Sequence, residues 1–149
     1  MKKIVLLVFT ALFLVACSDD DDVQVNIQTT KAEILKAELP DSFNLGEFYM
    51  IDVYYLLPSA CHIDVGLKID DGATSTEYYL YGVAAYDADQ VGCDQTSTDL
   101  ERSAEFEVFV ESQDAYVFHV WRGFDQDGKD IYDRIEVPVN METPGDTNN

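Results

Sequence analysis

The sequence has few basic residues. Nine Lys and Arg stand against 29 Asp and Glu in 149 residues, and the formal net charge is −20 at pH 7. Binding to nucleic acid needs cationic side chains that displace counterions from phosphates, and so few scattered cations cannot form a positive stripe. We therefore expect no nucleic-acid partner. The same charge disfavours adsorption to anionic lipid headgroups.

The N-terminal apolar run is short. Residues 4–14 are apolar except for Thr10, and aspartates follow soon afterwards. A transmembrane helix needs about 20 apolar residues, so this run is too short to span a membrane. Lys2 and Lys3 precede it, which is the layout of a secretory signal over residues 1–16. At 47% hydrophobic residues, the chain as a whole is too apolar to be disordered.

Motifs of catalysis and metal binding are also lacking. The sequence has no Gly-x-Ser-x-Gly elbow that would set His62 or His119 beside a nucleophile. Asp125, Asp127 and Asp130 alternate around a glycine, but the loop lacks the twelve-residue frame of a calcium site, which favours a solvated hairpin. We expect no catalytic residue, no metal and no cofactor. A small hydrolase that uses acidic residues is the alternative from another class, although acids are too abundant to single out a pair.

Only three cysteines are present. In a secreted protein the pair Cys61 and Cys93 predicts a disulfide. In the chain-entropy model, a loop of this length closed by a disulfide stabilises the folded state by roughly 3 to 4 kcal/mol. Zinc is the alternative because His62 follows Cys61, but Cys93 and His119 are remote and the spacing is not that of a zinc site. The predicted bridge ties the loop 86–99 to the turn before residue 63.

The third cysteine, Cys17, ends the sequence Leu14-Val15-Ala16-Cys17. This resembles the lipobox of bacterial lipoproteins, in which cleavage leaves the cysteine as the first residue with acyl chains such as palmitate. The resemblance implies that Cys17 is lipidated and anchors the protein to a membrane. Two or more acyl chains hold a protein firmly on a bilayer.

The residues after Cys17 extend the resemblance. They are Ser18, Asp19, Asp20 and Asp21. This pattern resembles the acidic export signal of lipoproteins of the Bacteroidota, which implies the outer membrane and a domain that faces the cell exterior. Residues 17–30 would then be an acidic tether, extended by its like charges. A plain acidic linker that faces the periplasm is the alternative.

The rest of the chain has the period of two that is typical of strands. In the segment 104–111, for example, Phe106, Val108 and Val110 share one face, and acids occupy most of the other. A strong hairpin signal, Asp127-Gly128, precedes the last strand. Helical spacing also suits the first segment, at Ala32, Leu35 and Leu39. Seven strands are predicted, at 31–39, 48–57, 63–69, 77–85, 104–111, 116–121 and 131–139, in one domain over 31–139 with a tail at 140–149.

Seven short strands with regular turns predict an all-β fold, an immunoglobulin-like antiparallel β-sandwich. The stretch 114–118 resembles the tyrosine corner of such sandwiches, with Tyr116 as its tyrosine. Trp121 lies on the sixth strand instead of the third, and no cysteine pair joins the second and sixth strands, so no antibody-type function is implied. The domain is also similar to small flavobacterial lipoproteins, through 58–62 and 135–139, and this similarity implies no activity.

Tyrosines give the best indication of a ligand contact. Alternation places Tyr79 and Tyr81 on one face of a strand and Tyr78 and Tyr86 on the other. Flat rings with polar tips suit sugar stacking or protein contact, although they could also simply fill the sandwich. We expect a non-catalytic binding or structural module with an unknown protein or glycan ligand. A glycan-binding accessory lipoprotein is the alternative within the binding proteins.

Overall fold

The computed structural model describes residues 25–90 and 98–140. These residues form nine strands and no helix, which confirms the all-β prediction. The predicted signal, Cys17, the export signal at 18–21 and Cys93 lie outside the described residues. In chain order the strands are β1 Ile27–Ala37, β2 Phe43–Asn44, β3 Phe48–Leu56, β4 Ile63–Asp71, β5 Glu77–Asp87, β6 Glu101–Phe109, β7 Tyr116–Phe124, β8 Asp130–Val137 and β9 Val139–Asn140.

Seven strands are joined in a sandwich of two layers. Layer A contains β4, β5, β7 and β8, and layer B contains β3 and β6. β1 belongs to both layers, since its residues 27–32 pair with β5 and its residues 33–37 pair with β3. β2 and β9 form a separate small sheet. The prediction of a sandwich of about seven strands is confirmed.

A β-bulge between Ile34 and Lys36 lets β1 serve both layers. A bulge inserts an extra residue and bends the strand, which redirects the second half of β1 away from β5. β1 starts at Ile27, earlier than the predicted residue 31, because its first residues continue the ladder to Asp87. The helical spacing of this segment has no counterpart in the structure.

The sheet is mixed, since β5 and β7 run parallel from Glu77 opposite Val117 to Leu80 opposite Val120. The predicted antiparallel arrangement is therefore wrong for this pair, and it holds for the other large ladders. The intervening strand β6 lies in layer B, so the chain leaves layer A and returns to it in its original direction. A crossover of this kind is what a parallel pair requires. This pairing brings the outward side chains of β5 and β7 together.

The core lies between the layers and is built by alternation. Leu80 and Ala84 of β5 are buried, while their odd-numbered neighbours are partly exposed. Phe43 makes edge contacts with Tyr116 and Phe118, with ring centroids 5.4 and 6.3 Å apart. The buried cluster consists of Ala32, Ile34, Phe43, Ile51, Val53, Tyr55, Leu80, Val108, Val110, Tyr116, Phe118, Val120 and Val137.

The tyrosine corner is confirmed. The Tyr116 hydroxyl accepts a hydrogen bond from the Glu111 backbone amide at 3.1 Å and donates to the Phe109 carbonyl at 3.4 Å. The ring itself is 1% exposed. The corner therefore fixes the connection between β6 in layer B and β7 in layer A.

Candidate binding surface

The structure separates the four tyrosines predicted as ligand contacts. Tyr79 and Tyr81 lie on the outer face of layer A. Tyr78 lies against the core, where its ring stacks 5.7 Å from that of Phe118. Tyr86 lies at the far end of β5, and its hydroxyl donates to Gln28 at 3.0 Å. Two of the four therefore share one surface.

Around Tyr79 and Tyr81 is a cluster of rings that we call the aromatic platform. The Tyr79 and His119 rings stack with centroids 4.4 Å apart and an interplanar angle of 11°. The Tyr132 ring meets Tyr79 edge-on at 5.2 Å. Trp121 lies opposite Tyr132 in the β7–β8 ladder. The platform comprises Tyr79, Tyr81, His119, Trp121 and Tyr132.

Lys31 of β1 lies at the centre of the platform. Its Nζ is 4.8 Å from the Tyr81 ring centroid, 5.5 Å from that of Tyr132 and 5.8 Å from that of Trp121. These are cation–π distances. Nζ also donates to Asp130 Oδ2 at 2.6 Å and to the Tyr132 hydroxyl at 3.1 Å. Burial opposes the charge on Lys31, but these hydrogen bonds outweigh it and raise its pKa.

Asp130 joins Lys31 to the base of the platform. Trp121 Nε1 donates to Asp130 Oδ1 at 2.7 Å, so both carboxylate oxygens have a donor. The hydrogen bond from Lys31 holds the pKa of Asp130 below its ordinary value, and the bond from Trp121 adds to this against the effect of burial. The arrangement keeps a carboxylate ionised and oriented beside the rings.

His119 is held by Glu77 at the other end of the platform. His119 Nε2 lies 2.8 Å from Glu77 Oε1, and the Ala73 backbone amide donates to Glu77 Oε2 at 2.9 Å. The hydrogen bond with His119 lowers the pKa of Glu77, and the Ala73 amide contributes in the same direction. Glu77 thus orients the imidazole that stacks on Tyr79.

The Tyr81 hydroxyl is held in the same way. It donates to Asp70 Oδ2 of the neighbouring strand β4 at 2.7 Å. Burial and this hydrogen bond raise the pKa of Tyr81 to about 12, whereas the pKa of Asp70 is lowered, mainly by the bond from Tyr81. The ring orientation is therefore set by a strong hydrogen bond to a charged acceptor.

Cations and acids alternate across this face. Three pairs of opposite charge lie on it, Lys31–Asp130, Lys68–Asp70 and Arg134–Glu136, with closest N···O distances of 2.6 to 3.4 Å. The His119–Glu77 hydrogen bond lies on the same face. The chain as a whole carries −20. An acidic ligand meets less repulsion at this paired face than the net charge of the chain would give.

A groove of about 400 Å³ adjoins the platform. Its apolar lining includes Trp121, Phe124, Leu56 and Pro58, and Lys31 of the platform also lines the groove. The Phe124 ring is 5.2 Å from that of Trp121 and is largely exposed. Trp121, which joins the platform to the groove, is only 5% exposed, so the accessible aromatic surface consists of Phe124 on the groove side and of the partly exposed platform tyrosines.

Other predicted positions lie elsewhere. Cys61 and His62 lie in the turn before β4, where Ser59 Oγ is 2.8 Å from His62 Nδ1 and accepts from the Cys61 amide at 3.2 Å. These contacts stabilise a local turn. Because Cys93 lies outside the described residues, its bridge to Cys61 stays a prediction.

The β7–β8 turn has the form of a hairpin. Asp125 Oδ1 accepts from the amides of Asp127 and Lys129 at 2.9 and 2.8 Å, while Asp130 is directed to the platform. Within residues 25–90 and 98–140, no group of three or more His, Cys, Asp or Glu side chains is placed to hold a metal ion. In the same ranges no helix is long and apolar enough to cross a membrane.

Sequence reasoning missed four members of this site: Lys31, His119, Trp121 and Tyr132. They come from β1, β7 and β8, so no local motif connects them. Alternation alone would place His119 outward, because its neighbours Phe118 and Val120 suit the core. The missing information was the parallel pairing that sets β7 beside β5.

Comparisons of the chain with protein-family models, with curated proteins and with solved structures give no match.

Proposed function

We propose that the protein is a lipid-anchored, non-catalytic binding module whose contact surface is the aromatic platform. The main support for this proposal is the stacked pair Tyr79 and His119 on the outer face of layer A. Tyr132 and Lys31 lie beside this pair. Hydrogen bonds already orient Lys31, Tyr132 and His119, and the stack on His119 orients Tyr79, so little side-chain entropy is lost on binding.

The ligand class that this surface supports best is a carbohydrate. Sugar rings present flat C–H faces for stacking and hydroxyls at their edges. The platform pairs aromatic faces with the carboxylates of Asp70 and Asp130. These accept hydrogen bonds from Tyr81, Lys31 and Trp121, and the remaining lone pairs of each carboxylate can accept from sugar hydroxyls. A shallow, prearranged surface of this kind suits capture of a polymer segment and does not enclose a reacting group.

The anchor is the second part of the proposal. Cys17 would carry the lipid, and the acids at 18–21 would direct export to the outer face of the outer membrane. A bridge from Cys61 to Cys93 would close the loop beside β4. Replacement Cys17→Ser should move the protein from the membrane fraction to the soluble fraction, and continued membrane association would contradict the anchor.

The binding proposal is tested by affinity electrophoresis of the full mature chain in gels that contain different polysaccharides. At least one polysaccharide should retard the protein. Tyr79→Ala and Tyr132→Ala should each abolish retardation, whereas Tyr54→Ala, a tyrosine of layer B, should not. Normal migration in every gel, or retardation that survives both platform changes, would overturn the proposal.

A further inference from the structure

Layer B exposes an apolar patch at one end of its outer face. Phe48, Met50 and Phe109 are 64%, 59% and 45% exposed. Phe48 lies opposite Phe109 in the β3–β6 ladder, and their rings stack with centroids 4.5 Å apart. Leu45, in the preceding turn, is 43% exposed. Single exposed apolar residues are ordinary, but a contiguous group of this size marks an interaction surface.

A groove of about 470 Å³ begins at Met50 beside this patch. Ala37, Leu39, Pro40 and Tyr49 line it together with polar side chains. Patch and groove therefore adjoin at Met50, so a partner side chain that enters the groove would lie beside the patch. Such pockets hold the side chains that dominate binding energy at protein interfaces.

Carboxylates lie beside the apolar patch. Met50 lies opposite Glu107 and Asp52 opposite Glu105, and Glu101 points the same way further along β6. Glu47 precedes the patch and is exposed. Lys36 of β1 lies nearby, but Glu38 already pairs with it at 2.6 Å. The rim is therefore negative.

We propose that this face of layer B docks a protein partner that presents an apolar anchor flanked by Lys or Arg. The negative rim favours a positively charged partner over a negatively charged one. A second copy of this acidic chain or an anionic lipid surface would bring like charge to the rim. Residues 141–149 contain Glu142 and Asp146 and no cation, so they also lack complementarity. Because the platform is on the opposite layer, both surfaces can be occupied together.

The test uses fluorescence anisotropy of a labelled synthetic peptide of alternating Leu and Lys, titrated with the full mature chain. Matched peptides of alternating Ser and Lys, and of alternating Leu and Glu, separate the apolar contribution from the charge. The Leu–Lys peptide should bind at least about tenfold more tightly than either, which corresponds to about 1.4 kcal/mol.

Variants assign the binding to this face. The double change Phe48→Ser with Phe109→Ser, and separately Glu105→Gln with Glu107→Gln, should each weaken binding about tenfold. Met50→Ser provides a milder apolar change if the double variant folds poorly. The control Ile131→Ser with Glu136→Gln removes an exposed apolar residue and an acid from β8 in layer A, and it should leave binding unchanged.

Several results would overturn the proposal. Equal binding of the Ser–Lys peptide would mean that charge alone attracts the peptide. Equal loss in the β8 control would mean that the site is not on layer B. Self-association abolished by the Phe48 and Phe109 changes would assign the face to a second copy. Tighter peptide binding after removal of residues 141–149 would assign it to the tail.

Discussion

Gly82 lies where β1, β5 and the Tyr55 ring meet most closely. A Cβ built on it would lie 2.5 Å from Tyr55 Cδ2 and 2.9 Å from the Ala32 Cβ. Real Cβ atoms do not approach carbon atoms so closely. The Tyr55 ring and β1 can therefore pack this near to β5 only because residue 82 has no side chain. Both neighbours are buried and cannot move aside freely.

Replacement Gly82→Ala should therefore destabilise the domain by about 1 to 3 kcal/mol, as overpacking of a core usually does. Urea denaturation measures the effect. Tyr55→Leu should make room for the added methyl group, so the double variant should be more stable than the sum of the single changes predicts. Strict additivity would contradict the close contact.

Tyr116→Phe tests the tyrosine corner. The change leaves the Glu111 amide without its side-chain acceptor, and we expect a loss of about 1 to 3 kcal/mol. Tyr86→Phe is the matched control, since its hydrogen bond to Gln28 is exposed and should contribute much less. Equal effects of the two changes in thermal denaturation would contradict a special role for the corner.

Tyr55 and Tyr81 should lose their phenolic protons only at a higher pH than an exposed tyrosine does. Burial and hydrogen bonds to Asp64 and Asp70 raise the pKa of each to about 12, against about 10 for an exposed tyrosine. Because the folded state retains these protons longer, their stabilisation is complete below about pH 10 and is lost as the pH rises towards about 12. Ultraviolet absorbance of phenolate should show this late step, which Tyr55→Phe and Tyr81→Phe should each diminish. Absence of a late step would contradict these environments.

At the scale of elements, the Lys31–Asp130 pair connects β1 to the start of β8. Asp130→Asn should destabilise by less than about 1 kcal/mol at pH 7, because the pair is partly exposed and solvent screens it. The pKa of Asp130 is lowered in the fold, so its contribution is present above the ordinary carboxyl pKa and is lost as the pH falls through the folded value.

The difference in stability between wild type and Asp130→Asn should therefore shrink in acid. Denaturation of both proteins over a range of pH measures it. Asp127→Asn, in the exposed part of the same hairpin, is the control and should have little effect at pH 7. A difference that grows as the pH falls would contradict the sign of the shift.

The strands themselves could be predicted from the sequence because alternation is a local property. Val108 and Val110 are buried, as the alternation of the predicted strand 104–111 indicates, and the Asp127-Gly128 turn joins β7 to β8. Outward placement of Tyr79 and Tyr81 also follows from alternation. The order of strands does not, because it depends on which layer β6 joins.

The site was less predictable than the fold for the same reason. Tyr79 and His119 become neighbours only through the parallel β5–β7 pair, and Lys31 reaches them only because β1 begins in layer A. The bulge between Ile34 and Lys36 transfers β1 to layer B. It contains no proline or glycine, so the sequence gives no local signal for it. Long-range pairing, and not local propensity, therefore assembles the platform.

At the scale of the whole molecule, the domain is a sandwich with two unlike outer faces, and the proposed lipid anchor would tether it to a membrane. Layer A carries paired charges and aromatic rings, and layer B carries an apolar patch with a negative rim. The anchor at Cys17 would leave both faces free to meet ligands. A predicted disulfide would connect Cys61 to the loop after β5.

If Cys61 and Cys93 form this bridge, the domain should have two free thiols only after reduction. Mass measurement with a thiol-alkylating reagent should show no addition at Cys61 or Cys93 in protein taken from the cell envelope, and two additions once the unfolded protein is reduced. Stabilisation by the bridge should be roughly 3 to 4 kcal/mol. Alkylation of both cysteines before reduction would refute it.

The central claim, that glycans bind on the platform, can be tested through the chain's single tryptophan. Trp121 lies beneath Lys31 and borders the groove, so its emission should report ligand binding there. Titration with a polysaccharide that retards the protein should change Trp121 fluorescence saturably in wild type and in Tyr54→Ala, and not in Tyr79→Ala. Retention without any change in Trp121 emission, or an unchanged titration in Tyr79→Ala, would contradict the claim.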